Sequence, residues 1–97
     1  MNLFLNHEGF ESYLVSRRDL YEGVGYLFKF ENHYGASVVK HNGSYGHAGD
    51  LWELAVIKFD DKSGRWDLNY DTPITADVEG WLTDEDVRKL LERIKEL

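Results

Sequence analysis

Residues 26–41, YLFKFENHYGASVVKH, decide the fold. Val24, Tyr26, Phe28 and Phe30 fall on one side of an extended strand, and Gly25, Leu27, Lys29 and Glu31 on the other. Residues 36–41 form a second run rich in β-branched side chains. Between the runs, Asn32-His33-Tyr34-Gly35 supplies Asn and Gly, the residues that most easily adopt positive φ. The stretch is read as a β-hairpin. Two registers fit. A three-residue loop with Gly35 left-handed sets Phe30 opposite Val38, and a four-residue loop sets Phe28 opposite Val39. Both bury the Phe face.

Downstream, residues 42–50, NGSYGHAGD, make a permissive loop whose one large side chain is Tyr45. Residues 51–59 then read as a strand with apolar residues on both faces: Trp52, Leu54 and Val56 on one, Ala55, Ile57 and Phe59 on the other. That pattern suits a central strand. Residues 60–64 form a turn ending in Gly64. Residues 65–70 alternate, which predicts Trp66, Leu68 and Tyr70 inward and Arg65, Asp67 and Asn69 outward. Pro73 ends that strand. Residues 74–82 are expected to be an irregular connector with one short helical turn, in which Ile74, Val78, Trp81 and Leu82 plug the end of the core.

The last segment is a helix by every local signal. Thr83 is the N-cap, and Asp84, Glu85 and Asp86 occupy the first turn, where free N–H groups favour anions. Leu82 and Val87 stand at the positions of a hydrophobic staple. Val87, Leu90, Leu91, Ile94 and Leu97 form one apolar stripe. Upstream, residues 1–25 allow two readings: Asn6 caps a short helix carrying Phe10, Tyr13 and Leu14, or residues 11–16 form a strand. Residues 17–23 are expected to be a turn, with Arg17, Arg18 and Asp19 solvated or paired among themselves. The expected fold is α+β, a single domain over residues 1–97: an antiparallel β-sheet of three to five strands with the C-terminal amphipathic helix packed on one face.

Composition narrows the function classes. There is no cysteine, so thiolate chemistry and zinc–thiolate sites are excluded. The net charge of −7 argues against direct nucleic-acid binding and against acidic membranes. Residues 1–5 have neither a basic start nor a long apolar run, and the run at 54–57 is too short to span a bilayer. A soluble protein is expected, and the lack of cysteine fits an intracellular location. The charge is lopsided: residues 66–87 hold seven acids and no base, a net −7, while residues 1–65 and 88–97 carry −2 and +2.

Three groups of residues are candidates for chemistry. His41, His47 and Asp50, with His33, offer metal-ligand types, but their spacing lacks a helical His pair, and no metal or other cofactor is expected. The loop itself offers backbone N–H groups to a phosphate, yet it leads into a strand rather than a helix N-terminus. It reads better as a recognition tip, formed by Tyr34, His41, Asn42, Ser44, Tyr45, His47 and Asp50. Helix electrostatics account for Asp84, Glu85 and Asp86. The remaining carboxylates, Asp67, Asp71, Asp77 and Glu79, form a candidate acidic patch for a basic partner. No catalytic set can be assembled, so the protein is not expected to be an enzyme.

The phrases Tyr26-Leu-Phe-Lys-Phe, Tyr34-Gly-Ala-Ser-Val-Val-Lys-His, Leu51-Trp-Glu-Leu-Ala-Val and Tyr70-Asp-Thr-Pro-Ile-Thr, with Ser16-Arg-Arg-Asp-Leu-Tyr before them, carry a resemblance. The chain resembles small uncharacterised proteins encoded by tailed bacteriophages and prophages. The resemblance implies an accessory protein acting in the cytoplasm of the bacterial host. Together with the acidic patch, it leads to the expectation of a non-enzymatic protein that binds a host or defence protein with a basic surface. The alternative is a small ligand-binding module, such as a nucleotide sponge, using the glycine-rich loop.

Overall fold

A computed structural model describes residues 2–20, 22–41, 50–69, 72, 74 and 79–97. The sheet is antiparallel and contains β1 (Leu14–Leu20), β2 (Gly23–Lys29), β3 (Tyr34–His41), β4 (Trp52–Phe59), β5 (Trp66–Leu68) and β6 (Glu79–Leu82), followed by helix α1 (Asp84–Lys95). The order is β1-β2-β3-β4-β5, and β6 also pairs with β4. The α+β expectation holds, with one strand more than its upper bound.

The Phe face of the hairpin is the core. Val24, Phe28 and Phe30 of the β2 side, Ala36 and Val38 of β3, and Trp52, Leu54 and Val56 of β4 are buried under Val87, Leu91 and Ile94 of α1. Leu90 is only half-buried. At the helix start, Thr83 Oγ1 accepts from Asp86 N at 3.1 Å and Asp86 Oδ2 accepts from Thr83 N at 3.1 Å. This is the reciprocal capping box, with Asp in place of the usual Glu. Buried Leu82 and Val87 supply the staple. At the other end, Asn32 Nδ2 donates to the carbonyls of Ile94 at 2.8 Å, Lys95 at 3.2 Å and Leu97 at 3.1 Å. The hairpin turn therefore caps the helix C-terminus.

Neither expected hairpin register is formed. Phe28 faces Ala36 and Tyr26 faces Val38. Phe30 N donates to Tyr34 O at 2.8 Å, leaving a three-residue loop of Glu31, Asn32 and His33. His33, with φ +71, takes the left-handed position that was assigned to Gly35. Gly35 is glycine for another reason: a Cβ there would clash with the backbone oxygen of Phe28 and approach the Phe59 ring to 2.9 Å. Steric crowding, not turn geometry, selects it.

Three further expectations are corrected. No helix starts at Asn6; residues 2–10 form a strap without regular structure that ends in a turn at 7–10, a 3₁₀ turn covers Glu11–Tyr13, and β1 follows. The Arg17-Arg18-Asp19 segment lies inside β1, although Arg17 does pair with Asp19 at 3.7 Å. In place of an irregular connector, Glu79–Leu82 is strand β6. The central position of β4 is as expected, since Ala55, Ile57 and Phe59 are buried on the face away from α1. Among the described residues, no helix is long and apolar enough to cross a membrane.

Candidate functional site

The acidic segment is organised by one edge of β4. Running antiparallel to it, Trp66 pairs with Phe59, Asp67 with Lys58 and Leu68 with Ile57. Asn69 N then donates to Val56 O at 2.9 Å. The ladder resumes with Glu79 opposite Leu54 and Leu82 opposite Trp52. β5 and β6 thus line one edge of β4, separated in sequence by residues 70–78. Of those, Ile74 is buried in the core cluster.

Apolar residues on this edge are left in the open. Trp66 is 36% exposed, Leu68 44% and Trp81 61%. All three were expected inside. Trp66 and Leu68 share the face of Phe59 and Ile57, away from α1, and at the sheet edge no described element covers them. Between Glu79 and Leu82 the strand carries one residue more than β4 does, a β-bulge. Trp81 sits in it with φ +60. A bulky side chain in the left-handed region is an outlier worth about 1–3 kcal/mol of strain. The bulge turns Trp81 out of the pattern that would have buried it.

Of the candidate acids, Asp67 and Glu79 are both exposed and both lie on the α1 side of the edge, by their pairing with Lys58 and Leu54. Four residues of β4 separate their pairing positions, about 13 Å at the usual strand rise. Each has basic company. Asp67 stands across the ladder from Lys58, and Glu79 lines an open groove of about 390 Å³ with Ile74, Leu82, Asp86, Lys89, Leu90 and Arg93. Asp71 and Asp77 lie outside the described residues.

The candidate loop group is not one site. Tyr34 opens β3 and His41 closes it, so seven residues of strand, about 23 Å, hold them apart. Tyr34 instead packs beside Lys58, whose Nζ is 5.3 Å from the ring centroid. Asn42, Ser44, Tyr45 and His47 lie outside the described residues. Asp50 holds the strap: its Oδ1 accepts from Asn2 N at 2.9 Å and lies 3.2 Å from Lys40 Nζ. The Asn2 N–H, and after it Lys40, keep the Asp50 carboxyl below the usual carboxylate range. His33 Nδ1 is 2.7 Å from Asp61 Oδ1, away from the other candidates. Among the described residues, no three His, Asp or Glu side chains are placed to hold a metal ion.

Sequence reasoning missed Lys40. It is 2% exposed, donates from Nζ to Asn2 O at 2.9 Å, and lies 4.2 Å from the centroid of the Trp52 ring. Trp52 Nε1 in turn donates to Asp84 Oδ1 at 2.7 Å. Asp84 therefore does more than favour the helix dipole. No signal for this cluster exists along the chain, because its members come from four separate segments. Comparison with protein-family models, with curated proteins and with solved structures found no match.

Proposed function

We propose that this protein is a non-enzymatic phage accessory protein that binds a host or defence protein with a basic surface, and that the partner docks on the β5/β6 edge. The observation that carries this reading is the exposed indole of Trp81, held at positive φ on a bulge. Strain retained around an exposed aromatic has no value for the core. It fits a contact residue, because Trp is the side chain most enriched at the centres of protein interfaces. Trp66 and Leu68 extend the apolar area on the same edge.

Charge supplies the partner's sign. The segment from Trp66 to Val87 carries seven acids and no base. Negative charge on the segment that also carries the exposed apolar residues steers a basic protein and raises its association rate. The test is a pull-down from bacterial lysate, followed by affinity measurement on whatever is captured. Trp66→Ala with Trp81→Gly should weaken binding at least about tenfold, which is about 1.4 kcal/mol. A captured partner that binds this double variant as tightly as the original removes the β5/β6 edge from consideration.

A further inference from the structure

The strap formed by residues 2–10 is held in an unusual way: by side chains that grip its backbone, with no strand ladder. Asn2 N–H is taken by Asp50 and Asn2 O by Lys40. Leu3 O accepts from Arg17 and from the Tyr26 hydroxyl, both at 3.2 Å, and that hydroxyl accepts from Leu5 N at 3.1 Å. Asn6 N donates to Asp84 at 3.4 Å, and Asn6 O accepts from Arg88 at 2.8 Å. Leu5 is buried, while Phe4 is 72% exposed. Together these form a groove with donors and acceptors for an extended peptide and one apolar socket.

The join between strap and body is the weak point. Residues 7–10 make a turn closed by Phe10 N to His7 O at 2.9 Å, with Gly9 at φ +93. His7 Nδ1 is buried there with no hydrogen-bond partner, wedged against the Tyr26 and Phe28 rings. An unpaired buried nitrogen costs about 1–3 kcal/mol. Opening the turn returns that nitrogen to water.

We propose that the groove is an intermolecular site whose occupant is the same strap from a second copy of this chain. The fit of residues 2–6 to the groove is already complete within one chain, so an exchanged strap makes the same bonds. Only the turn at residues 7–10 changes, from bent to extended. Each copy carries −7, so the copies repel. Screening by salt therefore favours the exchanged dimer, whereas it weakens docking of a basic partner.

The chain has no cysteine, so introduced thiols are the only ones present. One full-length batch carries Phe4→Cys and another Arg17→Cys, a pair in contact across the strap and groove, with the guanidinium carbon 5.1 Å from the ring centroid. The batches are mixed at high concentration and raised salt, then joined with a short bis-maleimide, whose span makes up for the side-chain length that both substitutions remove. Strap exchange yields the mixed cross-link in about tenfold excess over random pairing, a fraction of the gain that effective concentration allows. Both substitutions placed in one chain and cross-linked dilute, at low salt, should lock the strap within the chain, and the locked protein should then give no dimer at high concentration. Asn6→Cys with Arg88→Cys repeats the mixing experiment without disturbing the Tyr26 bonds, and it decides if the two pairs disagree. A random share of mixed cross-link from this second pair overturns the proposal.

Discussion

Trp52 and the pair Trp66 and Trp81 lie along β4 and its one interrupted edge, yet they live in opposite worlds. Trp52 is 1% exposed, its N–H is bound to Asp84, and its ring is covered by the Lys40 ammonium. Trp66 and Trp81 keep 36% and 61% of their surface in solvent. The contrast shows how position on a ladder, not residue type, sets the use of an aromatic. The direct partner of Trp52 on β6 is buried Leu82, under the helix start. The bulge next to it sends Trp81 the other way.

Several measurements can break or sharpen that contrast. The largest effect belongs to the buried side. Trp52→Ala should cost about 3–5 kcal/mol, and Leu91→Ala, which empties the helix side of the same core, about 2–5 kcal/mol, both read from denaturant melts. A loss below about 1 kcal/mol for either would mean that the core is not closed as described. Next is Trp66→Ala with Trp81→Gly. Stability should fall by no more than about 1 kcal/mol, because the strain released at position 81 offsets the area lost with the Trp66 ring. Glycine takes φ +60 without that strain. A large destabilisation would place these rings in the core after all.

Carboxylates divide in the same way. Asp84→Asn keeps an oxygen for the Trp52 N–H but removes the charge from the helix start, at a cost of about 0.3–1 kcal/mol. Asp67→Asn should leave melts unchanged and act only on the association rate, in a salt-dependent manner. Smallest is the acid response. Backbone and side-chain bonds from Thr83 hold Asp86 below the usual carboxylate range, as the Asn2 N–H does for Asp50. A depressed native value contributes stability that is fully present above the unfolded value of about 3.9 and is lost as pH falls through the native one. Amide protection at the helix start and strap, relative to the intrinsic exchange rate at each pH, should therefore fall below about pH 4, before the β3 and β4 ladders open. Simultaneous loss everywhere would show that neither carboxylate acts locally.

How much of this was legible depended on where each signal resides. Helix α1 was readable because Thr83, its acids and its apolar stripe all lie within fifteen residues. β4 was readable because both its faces are apolar and both are buried. β1 was hidden, since an edge strand exposed on both faces shows no alternation, and Arg17, Arg18 and Asp19 look like a turn. For β5 the alternation was real, but it says only which residues share a face, not whether that face is covered. Gly35 was misread because a glycine demanded by crowding looks the same as one demanded by a turn. The strap and Lys40 left no trace, because a lysine in a β-branched run does not announce that Asn2, Asp50 and Trp52 will surround it.

The capping of α1 by Asn32 has a consequence for the order of events during synthesis. The hairpins of β1 to β4 can form as soon as they are made, since their contacts are local. Their aromatic face stays uncovered until residues 83–97 exist to lie across it, and Asn32 waits for Ile94, Lys95 and Leu97. The strap waits as well, because Asp84 and Arg88 hold Asn6. At about 5–20 residues per second, those fifteen positions take about one to three seconds to translate. For that interval Val24, Phe28, Phe30 and Trp52 form an open apolar face. A released chain cut short near residue 82 would display it to every neighbour.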